Sequence, residues 1–207
     1  MVRIAGLAGT GLGFSGRTAP FGVPMITEPG ALAVSAEAVA TIVDATREDP
    51  DVIGVIIAAF GDPGLDAART RLYVPVCGIG EASLKEAAAG GRRFAVATTT
   101  PELSGAIAEL IEASGYGGQC TGLFFTETDP FAAVADRVDL VKALAEACEK
   151  ARRESKADAV IIGGGPLAEA AEALGSRMAM PIIAPIPAAA RLMARLIAAR
   201  KHPGAKT

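Results

Sequence analysis

The two halves of the chain carry similar segments in the same order. Each segment of the first half has a counterpart in the second: Arg3–Ala8 with Arg93–Thr98, Gly54–Gly61 with Ala159–Gly165, and Val74–Ile79 with Met180–Pro185. The last two segments of each half also share a Pro, a Leu and an Ala-rich stretch between them. Repetition in register indicates a duplicated unit, so the chain is expected to fold as two related halves.

Short apolar runs alternate with Ala-rich amphipathic stretches. The runs, each predicted to be a strand, are Arg3–Ala8, Val52–Phe60, Val74–Gly80, Arg93–Thr98, Cys120–Thr126, Ala157–Gly163 and Met180–Pro185. Continuous apolar strands followed by helices are typical of parallel sheets that are covered on both faces. We therefore predict an α/β fold of two pseudo-symmetric lobes with a cleft between them. The first lobe comprises residues 1–90 and 186–207, with the C-terminal helix packing back on it, and the second comprises residues 91–185.

The composition argues against several classes of function. Half of the 207 residues are hydrophobic (51%), the net charge is −3, Trp is absent, and no basic stripe is present, so a nucleic-acid partner is not expected. No apolar run is long enough to span a bilayer, which argues against a membrane protein. The chain starts directly on the first predicted strand, so a cytoplasmic location is expected.

The cysteine and histidine counts argue against a metal site. Cys77, Cys120 and Cys148 have no paired spacing, and the one histidine, His202, lies in a polar tail. Cys148 falls on the apolar face of a predicted helix, and Cys77 lies inside a predicted strand, where a buried thiol is inert. We expect neither a metal nor a cofactor.

The loops after the strands form the candidate site, because ligands of parallel sheets bind beyond the carboxyl ends of the strands. The candidate substrate-binding residues in these loops are Thr10, Ala59, Phe60, Gly61, Thr98, Thr99, Gly163, Gly164 and Gly165. Thr100 either caps a helix or contacts a ligand. The glycines near Thr10 lack the spacing of a dinucleotide-binding motif.

Several polar side chains are candidates for a catalytic acid or base. They are Asp62, Glu81, Glu28, Tyr73, Ser15 and Arg17, with the Thr98–Thr100 hydroxyls. Asp62 is expected to cap the helix that follows it, with a lowered pKa, and Glu81 to behave similarly. Arg17 either pairs with a substrate carboxylate or is solvated.

The segments Phe60–Arg69 and Val74–Ala82 resemble the hydantoin racemase branch of the aspartate/glutamate racemase superfamily, and F-G-D-P-G-L-D is their distinctive part. The resemblance implies flavodoxin-like lobes, a homo-oligomer, no cofactor, and a small carboxylate or cyclic amide as substrate. It also implies one catalytic cysteine from each half. Those positions hold Ala59 and Gly164 here, so a two-thiol mechanism is not possible.

The expected function is therefore that of a racemase-like, cofactor-independent isomerase that acts through an enolate-like state with the thiol pair replaced. Backbone donors can supply the electrostatic part of such chemistry without thiols. Two alternatives stay open: a cysteine-independent decarboxylase or lyase on the same scaffold, and a non-catalytic protein that binds small acids.

Overall fold

A computed structural model describes residues 1–201, apart from the side chain of Val134. The helices are α1 (Val2–Gly6), α2 (Pro29–Thr46), α3 (Leu65–Arg71), α4 (Ile79–Ala87), α5 (Ser104–Ala113), α6 (Pro130–Ala135), α7 (Arg137–Ser155), α8 (Ala168–Gly175) and α9 (Pro185–Lys201). The strands are β1 (Val55–Ile57), β2 (Val76–Gly78), β3 (Phe94–Thr98), β4 (Cys120–Phe125), β5 (Ala159–Ile162) and β6 (Ile182–Ile183). Single 3-10 turns occupy Ala89–Gly91, Pro101–Leu103, Gly117–Gln119 and Gly165–Leu167.

The strands form two parallel sheets flanked by helices, which confirms the predicted α/β fold. The first lobe is built on a sheet of β1 and β2, with Val55 opposite Val76. The second lobe is built on a sheet in the order β4-β3-β5-β6. Every strand pair in both sheets is parallel. Six of the seven predicted strands are therefore present.

The prediction for Arg3–Ala8 is wrong, because most of this segment lies in the short helix α1. Six residues are too few to separate a strand from a helix by periodicity. The helix buries Ile4 and Ala5 against the core beside α9, whereas Leu7 stays 55% exposed. A one-sided contact of this kind suits a helix, since a strand inside a parallel sheet is buried on both faces.

The second sheet separates two hydrophobic cores, because alternate side chains of a strand point to opposite faces. Phe94 and Val96 face a core shared with α4, α5 and α9. Ala95 and Ala97 face a core formed with α7 and α8, which includes Cys148. The predicted burial of Cys148 is confirmed, since its exposed fraction is 0%.

Two helices continue the duplication seen in the sequence. Helix α4 follows β2 and α9 follows β6, and the two helices pack against each other. Helix α9 also contacts β1 and β2. These contacts join the C-terminal helix to the first lobe, while the exact division into lobes stays a prediction.

One edge of β1 carries no neighbouring strand within residues 1–201. The backbone N–H of Val55 donates to the carbonyl of Pro75 at 2.9 Å. Because successive peptide groups of a strand alternate in direction, the N–H and C=O of Ile56 face away from β2. In the second lobe the corresponding edge of β5 pairs with β3. The open edge of β1 therefore becomes a wall of the cavity described below.

In the described part of the chain, no helix has the length and apolar character needed to cross a membrane. His202 lies outside the described residues.

Candidate functional site

A cavity of about 640 Å³ lies where the strand-end loops of the two lobes meet, and we call it the chamber. Its first end is formed by the loop Ala58–Phe60, the threonines Thr98–Thr100 and the loop Gly163–Leu167. Its second end is lined by the open edge of β1 and by apolar side chains of α2 and α9. The volume falls within the usual range for small-molecule pockets.

Most of the candidate substrate-binding residues line this chamber. They are Ala59, Phe60, Thr98, Thr99, Gly163, Gly164 and Gly165. Gly61 and Thr10 lie outside it: Gly61 packs near Leu32, and the Thr10 hydroxyl accepts a hydrogen bond from the Leu12 N–H at 3.4 Å. The role of these residues in binding substrate stays a prediction.

Sequence reasoning missed the second end of the chamber, which includes Ile42 of α2 and Met193 and Ile197 of α9. The spacing of Met193 and Ile197 places both on one face of a helix. That spacing was the available signal, but it did not show that the face would border a cavity rather than a closed core.

Glycine allows the loops of the two lobes to touch. A Cβ at Gly163 would lie 3.2 Å from the ring of Phe60, and a Cβ at Gly165 would lie 2.9 Å from the carbonyl oxygen of Ala58. Real Cβ atoms rarely approach other atoms so closely, so side chains at these positions would push the loops apart. The small residues therefore fix the spacing between the lobes at the chamber.

Backbone N–H groups in both loops have no hydrogen-bond partner among residues 1–201: those of Ala59, Phe60, Gly164 and Gly165. They belong to residues that line the chamber. Unpaired backbone donors in two loops that line one cavity can stabilise negative charge on a ligand oxygen.

The three threonine hydroxyls differ in their partners. The Thr98 hydroxyl donates to the carbonyl of Gly163 at 2.6 Å and lies 3.2 Å from the Thr100 hydroxyl. Thr100 is the N-cap residue of the turn Pro101–Leu103, as predicted, but its side chain makes no cap hydrogen bond. The Thr99 hydroxyl has no partner in the described part of the chain and is the one of the three left free for a ligand.

Asp62 does cap a helix, but not the helix that follows it. Its carboxylate accepts hydrogen bonds from the N–H groups of Gly80 and Glu81 at the start of α4, both at 2.7 Å. Burial nevertheless raises the pKa of Asp62 to about 6, and the repulsion from Glu81 adds to this, against the lowering effect of the two hydrogen bonds and Arg69. The expected lowering of its pKa is thus wrong, because a prediction from helix position alone omits burial. Asp62 does not line the chamber.

Some of the remaining acid–base candidates line the chamber and others do not. Ser15 and Arg17 line the chamber, whereas Glu28, Tyr73 and Glu81 do not. The Arg17 guanidinium is bound to Asp49 and donates to the Thr46 hydroxyl at 3.1 Å. Arg17 is therefore neither free nor simply solvated, and it is held by its own chain.

Charge is sparse in the chamber. Among the described residues that line it, the charged side chains are those of Arg17 and Asp51. No cluster of three potential metal ligands occurs within residues 1–201.

The three thiols lie away from the chamber. Cys77 is fully buried beside the carbonyl of Ala189, at 3.7 Å, and neither Cys120 nor Cys148 is among the lining residues. Burial raises the pKa of Cys77 to about 12, with further contributions from Glu81 and Asp62, and burial likewise raises that of Cys148 to about 12. Because a thiol acts as a nucleophile or base only as the thiolate, these groups are inert at neutral pH.

The fold and the chamber define a two-lobed α/β protein whose strand-end loops from both lobes meet at one cavity. The chain belongs to the Asp/Glu/Hydantoin racemase family, whose sequence model matches residues 4–193.

Known proteins of similar sequence and structure agree with this assignment. A hydantoin racemase of Paenarthrobacter aurescens is 27% identical over 154 residues, which cover 74% of this chain and 65% of that protein. The structure of an allantoin racemase from Klebsiella pneumoniae superposes with a TM-score of 0.83 at 30% identity, covering 95% of this chain and 82% of that one. The allantoin racemase of Pseudomonas fluorescens gives a TM-score of 0.85 at 25% identity, covering 95% and 84%. The matches span between 55% and 65% of the length of the curated relatives.

Proposed function

We propose that the chamber binds a neutral cyclic amide, such as a 5-substituted hydantoin, and promotes loss and return of the proton on its α-carbon. The observation that carries this proposal is the set of unpaired backbone N–H groups that the two loops bring to one cavity. The names of the relatives, hydantoin racemase and allantoin racemase, support the same substrate class.

The charge distribution favours a neutral ring over a carboxylate. Arg17 is bound to Asp49, so the chamber offers a substrate carboxylate no side-chain cation among the described residues that is not already paired. A ring carbonyl needs only hydrogen-bond donors, and the free Thr99 hydroxyl adds one. Backbone N–H groups also bind anions, so small carboxylates are included among the compounds tested below.

The proposed reaction is an isomerisation in which the chain stabilises the enolate. The α-proton passes to water, and the electron pair of the broken C–H bond moves onto the ring carbonyl oxygen, where the loop N–H groups hold the negative charge. Water then returns a proton to either face, which gives either enantiomer. Each well-placed donor in an oxyanion site contributes about 10²–10³-fold to rate in known enzymes. Such a site can therefore accelerate exchange although Ala59 and Gly164 supply no thiol.

A non-catalytic binding protein is the second candidate function. The absence of a thiol among the described lining residues of the chamber favours it. None of the three thiols lies in the chamber, and burial raises the pKa of Cys77 and Cys148 to about 12, so the chain lacks a strong base where the family places one. A binder would use the same donors without turnover.

One experiment separates these functions. The protein is incubated in D₂O with 5-substituted hydantoins, α-amino acids and arylmalonates, while NMR follows the α-proton and polarimetry follows optical rotation. Loss of the α-proton with loss of rotation for a hydantoin supports the proposal, and release of carbon dioxide from an arylmalonate supports a decarboxylase instead. A rise in Tm without turnover supports a binder. No exchange and no change in Tm for any compound overturns the proposal that the chamber is a small-molecule site.

A further inference from the structure

Gly163 is held by one hydrogen bond from each of its two peptide groups. The N–H of Gly163 donates to the carbonyl of Ala97 at 2.8 Å, and the carbonyl of Gly163 accepts from the Thr98 hydroxyl at 2.6 Å. Thr98 itself is 1% exposed. Both ends of Gly163 are thus tied to the end of β3, although the loop beyond it is made of glycine.

The two hydrogen-bond partners of the Thr98 hydroxyl determine that it donates to Gly163 and accepts from Thr100. A carbonyl oxygen can only accept, so the single proton of the Thr98 hydroxyl goes to Gly163. The Thr100 hydroxyl, 3.2 Å away, must then donate to Thr98. This order fixes the Thr98 side chain in one role, as a donor to the loop.

The bond to Gly163 also sets the direction of the next N–H. A peptide unit is planar and trans, so the carbonyl of Gly163 and the N–H of Gly164 point in opposite directions. Holding the carbonyl toward Thr98 therefore directs the Gly164 N–H away from Thr98, within the same peptide plane. That N–H has no partner among residues 1–201, and Gly164 lines the chamber. Without a side chain, residue 164 would otherwise have unusual freedom to rotate.

We propose that Thr98 is a positioning residue that aims the Gly164 N–H at the oxygen of the enolate-like state. The inference rests on the proposed function, and it assigns to Thr98 an indirect role rather than contact with the reacting atoms. Thr98 would act on the rate of the chemical step more than on binding of the neutral ring, since the negative charge exists only after the proton is lost.

The test compares two variants with the wild type. Thr98→Val keeps the shape of the side chain and removes the hydroxyl, whereas Thr98→Ser keeps the hydroxyl. With a 5-substituted hydantoin, we expect Thr98→Val to lower kcat for α-proton exchange by about tenfold. This is less than the loss of a whole oxyanion donor would cost, because the Gly164 N–H is misdirected but still present. KM should change by less than about threefold, and Thr98→Ser should restore kcat. A purely structural role would lower the activity of both variants in proportion to their loss of folded protein. Equal kcat in Thr98→Val and the wild type would overturn the inference.

A second measurement does not depend on activity. In ¹⁵N-labelled protein, the residual dipolar coupling of the Gly164 N–H reports its orientation directly. We expect this coupling to change in Thr98→Val and to match the wild type in Thr98→Ser. If the wild type exchanges no substrate, the proposed function fails while the coupling still decides whether Thr98 positions the Gly164 N–H. An unchanged coupling in Thr98→Val would refute that role.

Discussion

The carboxylate of Asp62 occupies the space that a side chain at Gly78 would need. A Cβ at Gly80 would also come within 2.8 Å of this carboxylate. The close approach lets Asp62 reach the N-terminal N–H groups of α4 from a loop at the end of the neighbouring strand β1. The acidic residue of F-G-D-P-G and the glycines of V-C-G-I-G therefore form one structural unit, in which Asp62 supports the chamber wall without lining it.

The pKa of Asp62 makes the free energy of unfolding depend on pH. Burial raises it from 3.8 to about 6, so the folded protein holds this proton more tightly than the unfolded chain does. The resulting stabilisation is complete below pH 4 and is lost as the pH rises through 6. A difference of about two pKa units corresponds to about 3 kcal/mol.

Asp62→Asn isolates this contribution, because Asn carries no charge at any of these pH values. Urea unfolding at pH 4, 5, 6 and 7 gives the free energy of unfolding of both proteins. The difference, wild type minus Asp62→Asn, should fall as the pH rises. A difference that stays constant, or that grows toward pH 7, would contradict the raised pKa.

Much of the fold can be predicted from local sequence, and most of that prediction comes from the duplicated segments. The paired segments around Gly54–Gly61 and Ala159–Gly165 predicted equivalent strands, which β1 and β5 confirm. The pairing of Arg3–Ala8 with Arg93–Thr98 failed, since β3 is central in its sheet, whereas the first segment packs by one side on α9. Similar short sequences adopt different structures when their tertiary contacts differ.

The candidate site was less predictable than the fold. Loops at the carboxyl ends of strands were identified because parallel sheets place them together, and Phe60, Thr99 and Gly164 do line the chamber. The cap from Asp62 to α4 links residues 18 and 19 positions apart, which no local capping rule describes. The bond of Arg17 to Asp49 is likewise a tertiary contact.

Gly163→Ala tests whether the loops of the two lobes are in tight contact at the chamber. The added Cβ would lie 3.0 Å from Val96 and 3.2 Å from the Phe60 ring, so one of them must move. Overpacking of this kind usually costs about 1–3 kcal/mol. We expect a lower urea midpoint and weaker thermal stabilisation by a 5-substituted hydantoin.

Gly175→Ala is the matched control, since a Cβ at that position meets nothing within 4 Å. It should leave the free energy of unfolding within about 0.5 kcal/mol of the wild type. If the two variants have the same midpoint, Phe60 and Gly163 are not in tight contact and the loops are further apart than the structure indicates.

Ala59→Cys tests the assignment of position 59 to the reacting face of the chamber. Ala59 already carries a Cβ, so the substitution adds one sulfur atom without a backbone change. Gly164 is the poorer choice for a thiol, because its φ of 156° is rarely adopted by L side chains and a Cβ would lie 3.1 Å from Leu167. A positioned base contributes about 10²–10⁴-fold in enzymes, so even an imperfectly placed thiolate should raise α-proton exchange of a hydantoin by about tenfold.

Ala59→Ser separates basicity from size, because it adds a similar group that does not ionise near neutral pH. Exchange in Ala59→Cys should rise with pH as the introduced thiol ionises, near its ordinary pKa of about 8.5, while Ala59→Ser should follow the wild type. Iodoacetamide should label the thiol introduced at position 59 and leave the buried Cys77 and Cys148 unmodified. If labelling shows an accessible thiol and exchange still equals that of Ala59→Ser, residue 59 does not face the α-carbon, and the first-lobe loop would then serve binding alone.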